Sequence, residues 1–295
     1  MRTKLVTAFY TDIIGFPFFG HDAFARHERY LHSLRTLNNM DTEIVCYCND
    51  TQFDLMTKYC EDYNLTNVTI KISNLKDYPN SQRMIDLKKS NNSFNFYHEV
   101  DWNKLFLLSK EYDESYDYIY WIDCGLSHRG LFLLKYNPNA DKITGLSRDW
   151  ENYSFTNLFC PELFPKINNW VGDKLINLAN TMFSHNVNEL NRVYNNNHDY
   201  KHMSVGGILG GHISKLNWFI DEFNRIADIC LDSNYILNHE AMITKINFEN
   251  SDMFKTYDFN TWYHDDFWLT TPVFDRDAIK GIKHFVHFFE QELGI

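Results

Sequence analysis

Residues 118–122, YIYWI, are apolar at every position, and the run ends abruptly in Asp123, Cys124 and Gly125. A strand with one solvated face alternates polar and apolar residues, whereas this run must bury both of its faces. Such strands lie in the middle of parallel sheets that helices cover on both sides. Because parallel neighbours need long crossover connections, this run predicts an α/β chain with helices between its strands.

The first half of the chain repeats this alternation. Short β-rich runs at residues 5–10, 43–48 and 68–72 precede the central run, and helical periodicity follows most of them. The predicted helices span residues 24–38, the stretch from an N-cap at 49–51 to residue 63, and residues 101–112. This order predicts a Rossmann-type, mostly parallel central sheet flanked by helices.

The second half is less regular, and no linker separates it from the first. We expect a strand at 142–146, one or two helices within 168–193, a glycine-punctuated strand at 205–211, and helices at 214–231 and 238–246. The chain is therefore predicted to form a single domain, residues 1–295, with an elaborated C-terminal half.

The composition is that of a soluble globular protein, with 44% hydrophobic and 23% charged residues. No apolar run approaches the roughly 18 residues that a membrane span needs. The net charge of −11, from 28 basic and 39 acidic residues, disfavours non-specific binding to nucleic acids or anionic membranes. The six cysteines include no CxxC pair, so we expect reduced thiols and a cytoplasmic protein rather than a zinc site or a disulfide framework.

Asp123 follows the central run directly. Ligands of open α/β sheets bind beyond the carboxyl ends of the strands, so a ligand would meet this carboxylate. Asp123 can bind a divalent cation that neutralises a diphosphate, or it can cap the turn that follows. The motif alone leaves both roles open.

Two segments, WNKL at 102–105 and YIYWIDCG at 118–125, together resemble the core of GT-A-type nucleotide-sugar glycosyltransferases. In that family a helix with a basic residue precedes a strand that ends in an Asp-x-Asp-like motif. A narrower resemblance is to the HtrL/YibB-type bacterial proteins, which are grouped with surface-polysaccharide glycosyltransferases. It rests on LVTAFY at 5–10, Arg29-Tyr30, the WIDCG turn, GGILGG at 206–211 and NHE at 238–240.

The resemblance implies a GT-A-like fold in which residues 1–130 bind the nucleotide and residues 131–295 bind the sugar and the acceptor. It implies a nucleoside diphosphate sugar, such as a UDP-sugar, as the donor, and a hydroxyl group of a surface glycan or another molecule as the acceptor. The implied donor-binding residues are Thr7, Phe9 and Tyr10 at the nucleobase and ribose, Lys104 near the diphosphate or ribose, Asp123 at the ribose with Gly125 in the same turn, and Gly206 and Gly207 at the sugar.

The turn departs from the family motif, because Gly125 stands where the second Asp would be. The resemblance implies Mn²⁺ or Mg²⁺ bound by Asp123 and by a further ligand from the C-terminal segment, where His264 is the first candidate beside Asp265 and Asp266. That aromatic segment can equally pack on the sheet with its polar residues in water. With one carboxylate from the turn, weak metal binding and metal-independent transfer stay open.

Two glycine pairs, Gly206-Gly207 and Gly210-Gly211, punctuate the predicted strand at 205–211. Glycine lets a backbone approach a ligand closely, but such pairs also mark a bulge or a tight turn. The pattern is not a Gly-x-Gly-x-x-Gly opening a helix after the first strand, and no P-loop is present. A dinucleotide cofactor and nucleoside triphosphate hydrolysis are therefore disfavoured.

Glu240 opens the predicted helix that follows the glycine-rich strand. An inverting transferase needs a carboxylate that takes the proton of the acceptor hydroxyl, and we predict Glu240 in this role, with Asp149 as the alternative. Charge compensation at a helix N-terminus is the competing explanation for Glu240. If the enzyme retains the configuration of the sugar, neither residue need act as a base.

Two other functions remain as alternatives. One is a phage-type enzyme that glycosylates a modified DNA base, which the charge of −11 disfavours. The other is a non-catalytic protein that binds a sugar nucleotide or a glycan. Donor hydrolysis separates an enzyme from a binding protein, and DNA mobility with its salt dependence separates the two classes of acceptor.

Overall fold

The computed structural model describes residues 1–10, 34, 37–38, 40–90, 98–124, 161–180, 184–200, 202–258 and 292–294, and the statements below concern these residues. The strands are β1 (Thr3–Ala8), β2 (Glu43–Cys48), β3 (Val68–Ile72), β4 (Tyr118–Ile122), β5 (Leu175–Asn180), β6 (Met203–Ser204), β7 (Ile208–His212) and β8 (Phe254–Asp258). The helices are α1 (Phe53–Asp62), α2 (Ser81–Ser90), α3 (His98–Lys110), α4 (Leu163–Val171), α5 (Ser184–Tyr194), α6 (Ile213–Asp232) and α7 (His239–Glu249). Short 3₁₀ turns lie at Asp50–Gln52, Leu75–Asp77 and Ser251–Met253.

The eight described strands form one mixed sheet in the order β3-β2-β1-β4-β7-β5, with β6 and β8 paired to β5. Strands β3, β2, β1 and β4 are parallel. Strand β7 runs antiparallel to β4, with Tyr118 opposite His212 and Ile122 opposite Ile208. Strand β8 is parallel to β5. The predicted α/β class with a mostly parallel sheet between helices is confirmed.

The sheet buries both of its faces, as the all-apolar run of β4 predicts. Val6 and Trp121 point to one face and join a cluster with residues of α3, α6 and α7. Leu5 and Tyr120 point to the other face and join a cluster with α4. Trp102 of α3 is fully buried and donates its indole N–H to the carbonyl of Leu237 at 2.8 Å. This bond fixes α3 against the chain that leads into α7.

A bulge interrupts the chain that runs antiparallel to β5. Strand β5 pairs with β7 at Leu175–Gly211 and with β6 at Ala179–Ser204. Seven residue steps separate Ser204 from Gly211, but four separate Leu175 from Ala179, so this chain carries three extra residues between its two pairings with β5. Val205 keeps one bond to β5, from its N–H to the carbonyl of Leu178 at 2.6 Å. Bulges of this kind re-aim the backbone next to active sites. The glycine pair at 206–207 therefore lies in a bulge, the structural alternative considered for it, rather than inside a regular strand.

The C-terminal end of α3 is fixed by the buried carboxylate of Glu111. It accepts hydrogen bonds from Lys71 Nζ and the Tyr47 hydroxyl, both at 2.5 Å, and from Lys4 Nζ at 3.1 Å. Burial by itself would raise the pKa of this carboxyl, but the three donors outweigh it and lower the pKa below its ordinary value. One carboxylate thus joins α3 to three strands of the parallel half of the sheet.

The structure differs from the sequence prediction most clearly between residues 168 and 193. The helix predicted in the second part of this range is confirmed by α5, but the first part is wrong, because α4 ends at Val171 and strand β5 follows it. The pattern also missed α2 and β8. The predicted helix at 24–38 and the predicted strand at 142–146 lie largely or wholly outside the described residues.

The structure tests one of two predictions about the organisation of the chain. Within the described ranges, no helix combines the length and apolarity needed to cross a membrane. The single-domain organisation with its two functional halves stays a prediction.

Candidate functional site

The predicted site residues that the structure describes meet at one edge of the sheet. Parallel strands β1 to β4 end there with their carboxyl ends, and antiparallel β7 begins there. Asp123 follows β4 at this edge, and its backbone N–H donates to the carbonyl of Gly207 at 2.9 Å. The turn after β4 and the bulge before β7 are thus joined directly.

Lys104 is the centre of this cluster. It lies on α3, is 5% exposed, and reaches Asp123 Oδ1 at 2.8 Å and the carbonyl oxygen of Gly206 at 3.0 Å. Its Nζ also lies 3.4 Å from Nε2 of His239, at the start of α7, and 3.7 Å from Oδ1 of Asp101. The ammonium group therefore joins helix α3 to the end of β4, the bulge and α7.

The contacts of Lys104 outweigh the effect of its burial. Burial would lower the pKa of this ammonium, but the charges of Asp123 and Asp101 outweigh burial and raise it, so Lys104 stays charged. An ammonium group has three donors and no acceptor, and here its three close partners are Asp123, Gly206 and His239. Nε2 of His239 faces the ammonium as an acceptor, and Nδ1 lies 3.4 Å from Asp101 Oδ2.

Asp123 has one carboxylate oxygen, Oδ1, that is held by hydrogen bonds at the edge of the sheet. Its Oδ1 accepts from Lys104 and also from the indole N–H of Trp121 at 2.7 Å. The side chain is nevertheless 38% exposed. One carboxylate oxygen is therefore fixed by two donors, while the group as a whole stays accessible to a ligand.

Gly206 is required by the position of His239. A Cβ on residue 206 would lie 1.9 Å from Nε2 of His239, so another side chain does not fit without a shift. The backbone N–H of Gly206 donates to Oε1 of Glu240 at 2.9 Å, and the backbone N–H of Glu240 donates to the side chain of Asn238 at 2.9 Å. Glu240 thus supports the bulge from the capped N-terminus of α7. Its predicted role as a base stays a prediction.

The strand-one residues are placed differently from one another. Thr7 is fully buried and Phe9 is 3% exposed, so both side chains belong to the core. Tyr10 lies at the edge, where its hydroxyl donates to the carbonyl of Ser73 at 2.9 Å and accepts from the Asn103 side chain at 3.4 Å. Burial is the main cause that raises the pKa of Tyr10. Donor binding by the three residues stays a prediction. Tyr10 is the one of the three whose side chain is partly exposed.

A groove of about 350 Å³ opens beside this edge, at the carboxyl ends of β2 and β3. Its lining includes Asn49 and Asp50 after β2 and Asn74 after β3. The sequence analysis assigned residues 49–51 to a helix N-cap, but the side chain of Asn49 makes no cap bond and instead accepts from the N–H of Leu75 at 3.2 Å. Their position directly after a predicted strand is the sequence feature that could have placed these residues at the ligand-binding edge.

Two partners of Lys104, Asp101 and His239, were not predicted from the sequence. Asp101 stands three residues before it on a predicted helix, and His239 stands next to Glu240, so both were near residues already chosen. Their charge and ring nitrogens complete the contacts of the ammonium group. Three predicted site residues, Gly125, Asp149 and His264, lie outside the described residues.

The described residues do not supply a site for a divalent cation. None of them form a group of three or more His, Cys, Asp or Glu side chains suited to a metal ion. Oδ1 of Asp123 already accepts from two donors, and the ammonium of Lys104 places a positive charge 2.8 Å from it. A metal at Asp123 would therefore need ligands from outside the described part of the chain, of which His264 is the predicted one.

Comparisons with known proteins do not identify a family. No protein-family model matches the chain, and no curated protein sequence does. A crystal structure of mouse xyloside xylosyltransferase 1 in its apo form is similar to 90% of this chain and 92% of its own, with a TM-score of 0.46 and 9% identity. At these values the likeness establishes no shared activity, and the α/β class rests on the sheet itself. The narrower resemblance to HtrL/YibB-type proteins gains no support from these comparisons.

Proposed function

We propose that this chain is a glycosyltransferase that moves a sugar from a nucleoside diphosphate sugar to an acceptor hydroxyl. The observation that supports this most directly is the cluster of Asp123, Lys104 and the Gly206 bulge at the carboxyl edge of the sheet. Open α/β sheets bind their ligands at this edge. The cluster brings together a half-exposed carboxylate, a buried cation and a backbone stretch without side chains.

Each part of the cluster has a task in this proposal. The carboxylate of Asp123 accepts hydrogen bonds from hydroxyl groups of the donor ribose or sugar, while Lys104 holds it in place. The backbone of the bulge at Gly206 and Gly207 lines the sugar site in this proposal, while the His239 ring fills the space that a Cβ of residue 206 would take. Tyr10 and the groove beside Asn49 and Asp50 lie where a nucleobase would extend from such a donor.

The leaving group is a nucleoside diphosphate, and its developing negative charge has to be stabilised. Mn²⁺ or Mg²⁺ would supply that stabilisation if Asp123 and His264 bound it together, as the resemblance implies. The described residues do not complete such a site, so metal dependence is part of the proposal to be tested.

The acceptor hydroxyl has to lose a proton as the new C–O bond forms. Two described groups at this edge can take this proton. One is Glu240, which the sequence predicts, and the other is His202. The acceptor that we propose is a glycan. The net charge of −11 continues to disfavour a DNA acceptor.

Thermal unfolding in the presence of nucleotide sugars tests the proposal. UDP- and GDP-linked sugars are screened with and without Mn²⁺, on the wild type and on Asp123→Asn. A donor at 100 times its dissociation constant should stabilise the wild type by about 2.7 kcal/mol. Asp123→Asn should bind it more weakly.

The matched control is Asp117→Asn, which makes the same chemical change at an exposed carboxylate just before β4. It should respond to the donor as the wild type does. If no nucleotide sugar stabilises the wild type, the proposed function is wrong. Stabilisation of wild type and Asp123→Asn to the same degree would move the donor site away from the end of β4.

A further inference from the structure

A second polar pair lies at the same edge of the sheet. Nδ1 of His202, just before β6, is 2.7 Å from Oδ2 of Asp258, the last residue of β8. The two side chains are 40% and 25% exposed. Nothing in the sequence pattern joined these residues, because 56 positions separate them and both stand at element boundaries.

The strand pairing explains how the two residues meet. Ala179 of β5 is opposite Ser204 of β6 on one side and opposite Asp258 of β8 on the other. His202 therefore reaches across the carboxyl end of β5 to the far strand. The pair lies beyond the end of a strand, in the position where open α/β sheets bind ligands.

The pair also lies close to the donor cluster. Ile208 pairs with Ile122, the residue before Asp123. The register along β5 puts His202 about three residue steps, or about 10 Å, beyond Ile208 on the outer side of the edge. Asp123 and His202 therefore lie on neighbouring parts of the same edge.

The geometry orients the imidazole. Nδ1 of His202 is itself buried and faces a carboxylate, so in the neutral ring the proton belongs on Nδ1. Nε2 is then the acceptor nitrogen, and the exposed fraction of the side chain belongs to the ring atoms away from Asp258. Asp258 fixes the tautomer and would stabilise the imidazolium that forms when Nε2 gains a proton.

We propose that His202 and Asp258 form the dyad that activates the acceptor hydroxyl. This inference rests on the proposed function. The acceptor oxygen forms a bond to the anomeric carbon, and its proton passes to Nε2 of His202. The bond between the anomeric carbon and the phosphate oxygen breaks, and its electron pair leaves with the nucleoside diphosphate. The proton on His202 is then released to water. This is a single displacement, so the sugar configuration is inverted.

The competing explanation is a clasp that joins two edge strands without chemistry. A clasp would lower stability when it is broken, but each folded molecule would still transfer sugar at the wild-type rate. Glu240 is the other candidate base, and its Oε1 already accepts from the N–H of Gly206. In the dyad, Nδ1 of His202 faces Asp258, which leaves Nε2 for the acceptor.

The experiment compares His202→Gln, Asp258→Asn and Glu240→Gln with the wild type. The matched control is His198→Gln, an exposed histidine on the same segment. The donor is the nucleotide sugar that stabilises the wild type most, and methyl glycosides serve as acceptors. Donor affinity, transfer rate per folded molecule and the anomeric configuration of the product are measured for each variant.

The dyad predicts that donor affinity is unchanged in His202→Gln while transfer falls by about 10²–10⁴-fold. Asp258→Asn should lower transfer at unchanged donor affinity, because the ring loses its preferred tautomer. His198→Gln should transfer as the wild type does. Imidazole added to His202→Ala should restore part of the transfer, which a clasp does not predict.

Three outcomes would overturn the dyad. One is wild-type transfer by folded His202→Gln. Another is a large loss in Glu240→Gln without one in His202→Gln, which would support the base predicted from the sequence. The third is a product with retained configuration. Absence of any donor binding by the wild type is a different result, since it would overturn the proposed function and the dyad with it.

Discussion

At the scale of single residues, Lys104 explains why the site has its shape. A buried ammonium is costly unless its charge and its donors are satisfied. Here Asp123, the Gly206 carbonyl and His239 satisfy the three donors, so the lysine fixes a turn, a bulge and a helix N-terminus at once. Removing any one of these partners should therefore change the positions of the other two.

Asp123→Asn tests the residue on which the donor site depends most. The amide keeps the size of the side chain but loses the charge that pairs with Lys104. We expect turnover to fall roughly 10²-fold, as when one electrostatic stabiliser of a transition state is removed. Steady-state kinetics on the purified, folded variant measures this. Turnover equal to that of the Asp117→Asn control would exclude Asp123 from the donor site.

The structure brings Lys104, Asp123 and Glu240 together at the carboxyl edge, while their roles stay predictions. Asp123 was chosen for its position after a central strand, Glu240 for its place in the first turn of a helix, and Lys104 through the family resemblance. His202 and Asp258 were missed, because their meeting depends on strands whose pairing no local pattern shows.

At the scale of elements, the bulge before β7 joins the glycine pair to the site. Its three extra residues turn the Gly206 carbonyl toward Lys104 and the Gly206 N–H toward Glu240. The pairing of β5 with two successive strands creates this bulge. A glycine-rich sequence alone does not distinguish it from a regular strand.

A double-mutant cycle tests how tightly the bulge is packed against α7. Gly206→Ala puts a Cβ into the ring of His239 and should destabilise the protein by about 1–3 kcal/mol, the usual cost of overpacking. In a His239→Ala background the space is free, so the same change should cost clearly less. Urea unfolding of the four proteins measures the coupling. If the changes in the free energy of unfolding were additive, the two positions would not be coupled.

The missed strand β5 shows the limit of periodicity for short elements. Leu175 and Leu178 are three residues apart and fit a helical stripe as well as a buried strand. Gly172, with φ of 62°, ends α4 just before β5 and was the local signal for a boundary. The longer helices α3, α6 and α7 were predicted correctly, because several helical turns distinguish the two periods.

At the scale of the whole molecule, the alternation of strands and helices in the first half predicted the parallel part of the sheet, and the structure confirms it. The antiparallel β7 and the placement of β5, β6 and β8 were not predictable, because they depend on long-range pairing.

Acid should destabilise the protein through Glu111. The pKa of this carboxyl is lowered in the folded state, so its stabilising effect is fully present above the ordinary value of 4.5 and is lost as the pH falls through the lowered pKa. Urea unfolding as a function of pH should show a steeper loss below about pH 4.5 in the wild type than in Glu111→Gln. The exposed Glu114→Gln is the control and should follow the wild type. Equal slopes in all three would contradict the buried network.

The cysteines should all be reduced. The five described cysteines are free thiols, and burial raises the pKa of Cys48 to about 11 and of Cys230 to about 12. Thiolates are the reactive form, so the native protein should react slowly with a thiol reagent. After denaturation without reductant, all six cysteines of the chain should titrate. Two fewer would indicate a disulfide and an oxidising compartment, against the proposed cytoplasmic location.

The most direct test of the account is the release of nucleoside diphosphate from a sugar nucleotide. The wild type is incubated with the donor that it binds, with methyl glycosides as acceptors and with Mn²⁺ or EDTA, and the diphosphate and the glycoside product are quantified. We predict release coupled to glycoside formation in the wild type, falling roughly 10²-fold in Asp123→Asn and unchanged in Asp117→Asn. Tight donor binding without any release, under all of these conditions, would contradict a glycosyltransferase and leave a sugar-nucleotide-binding protein.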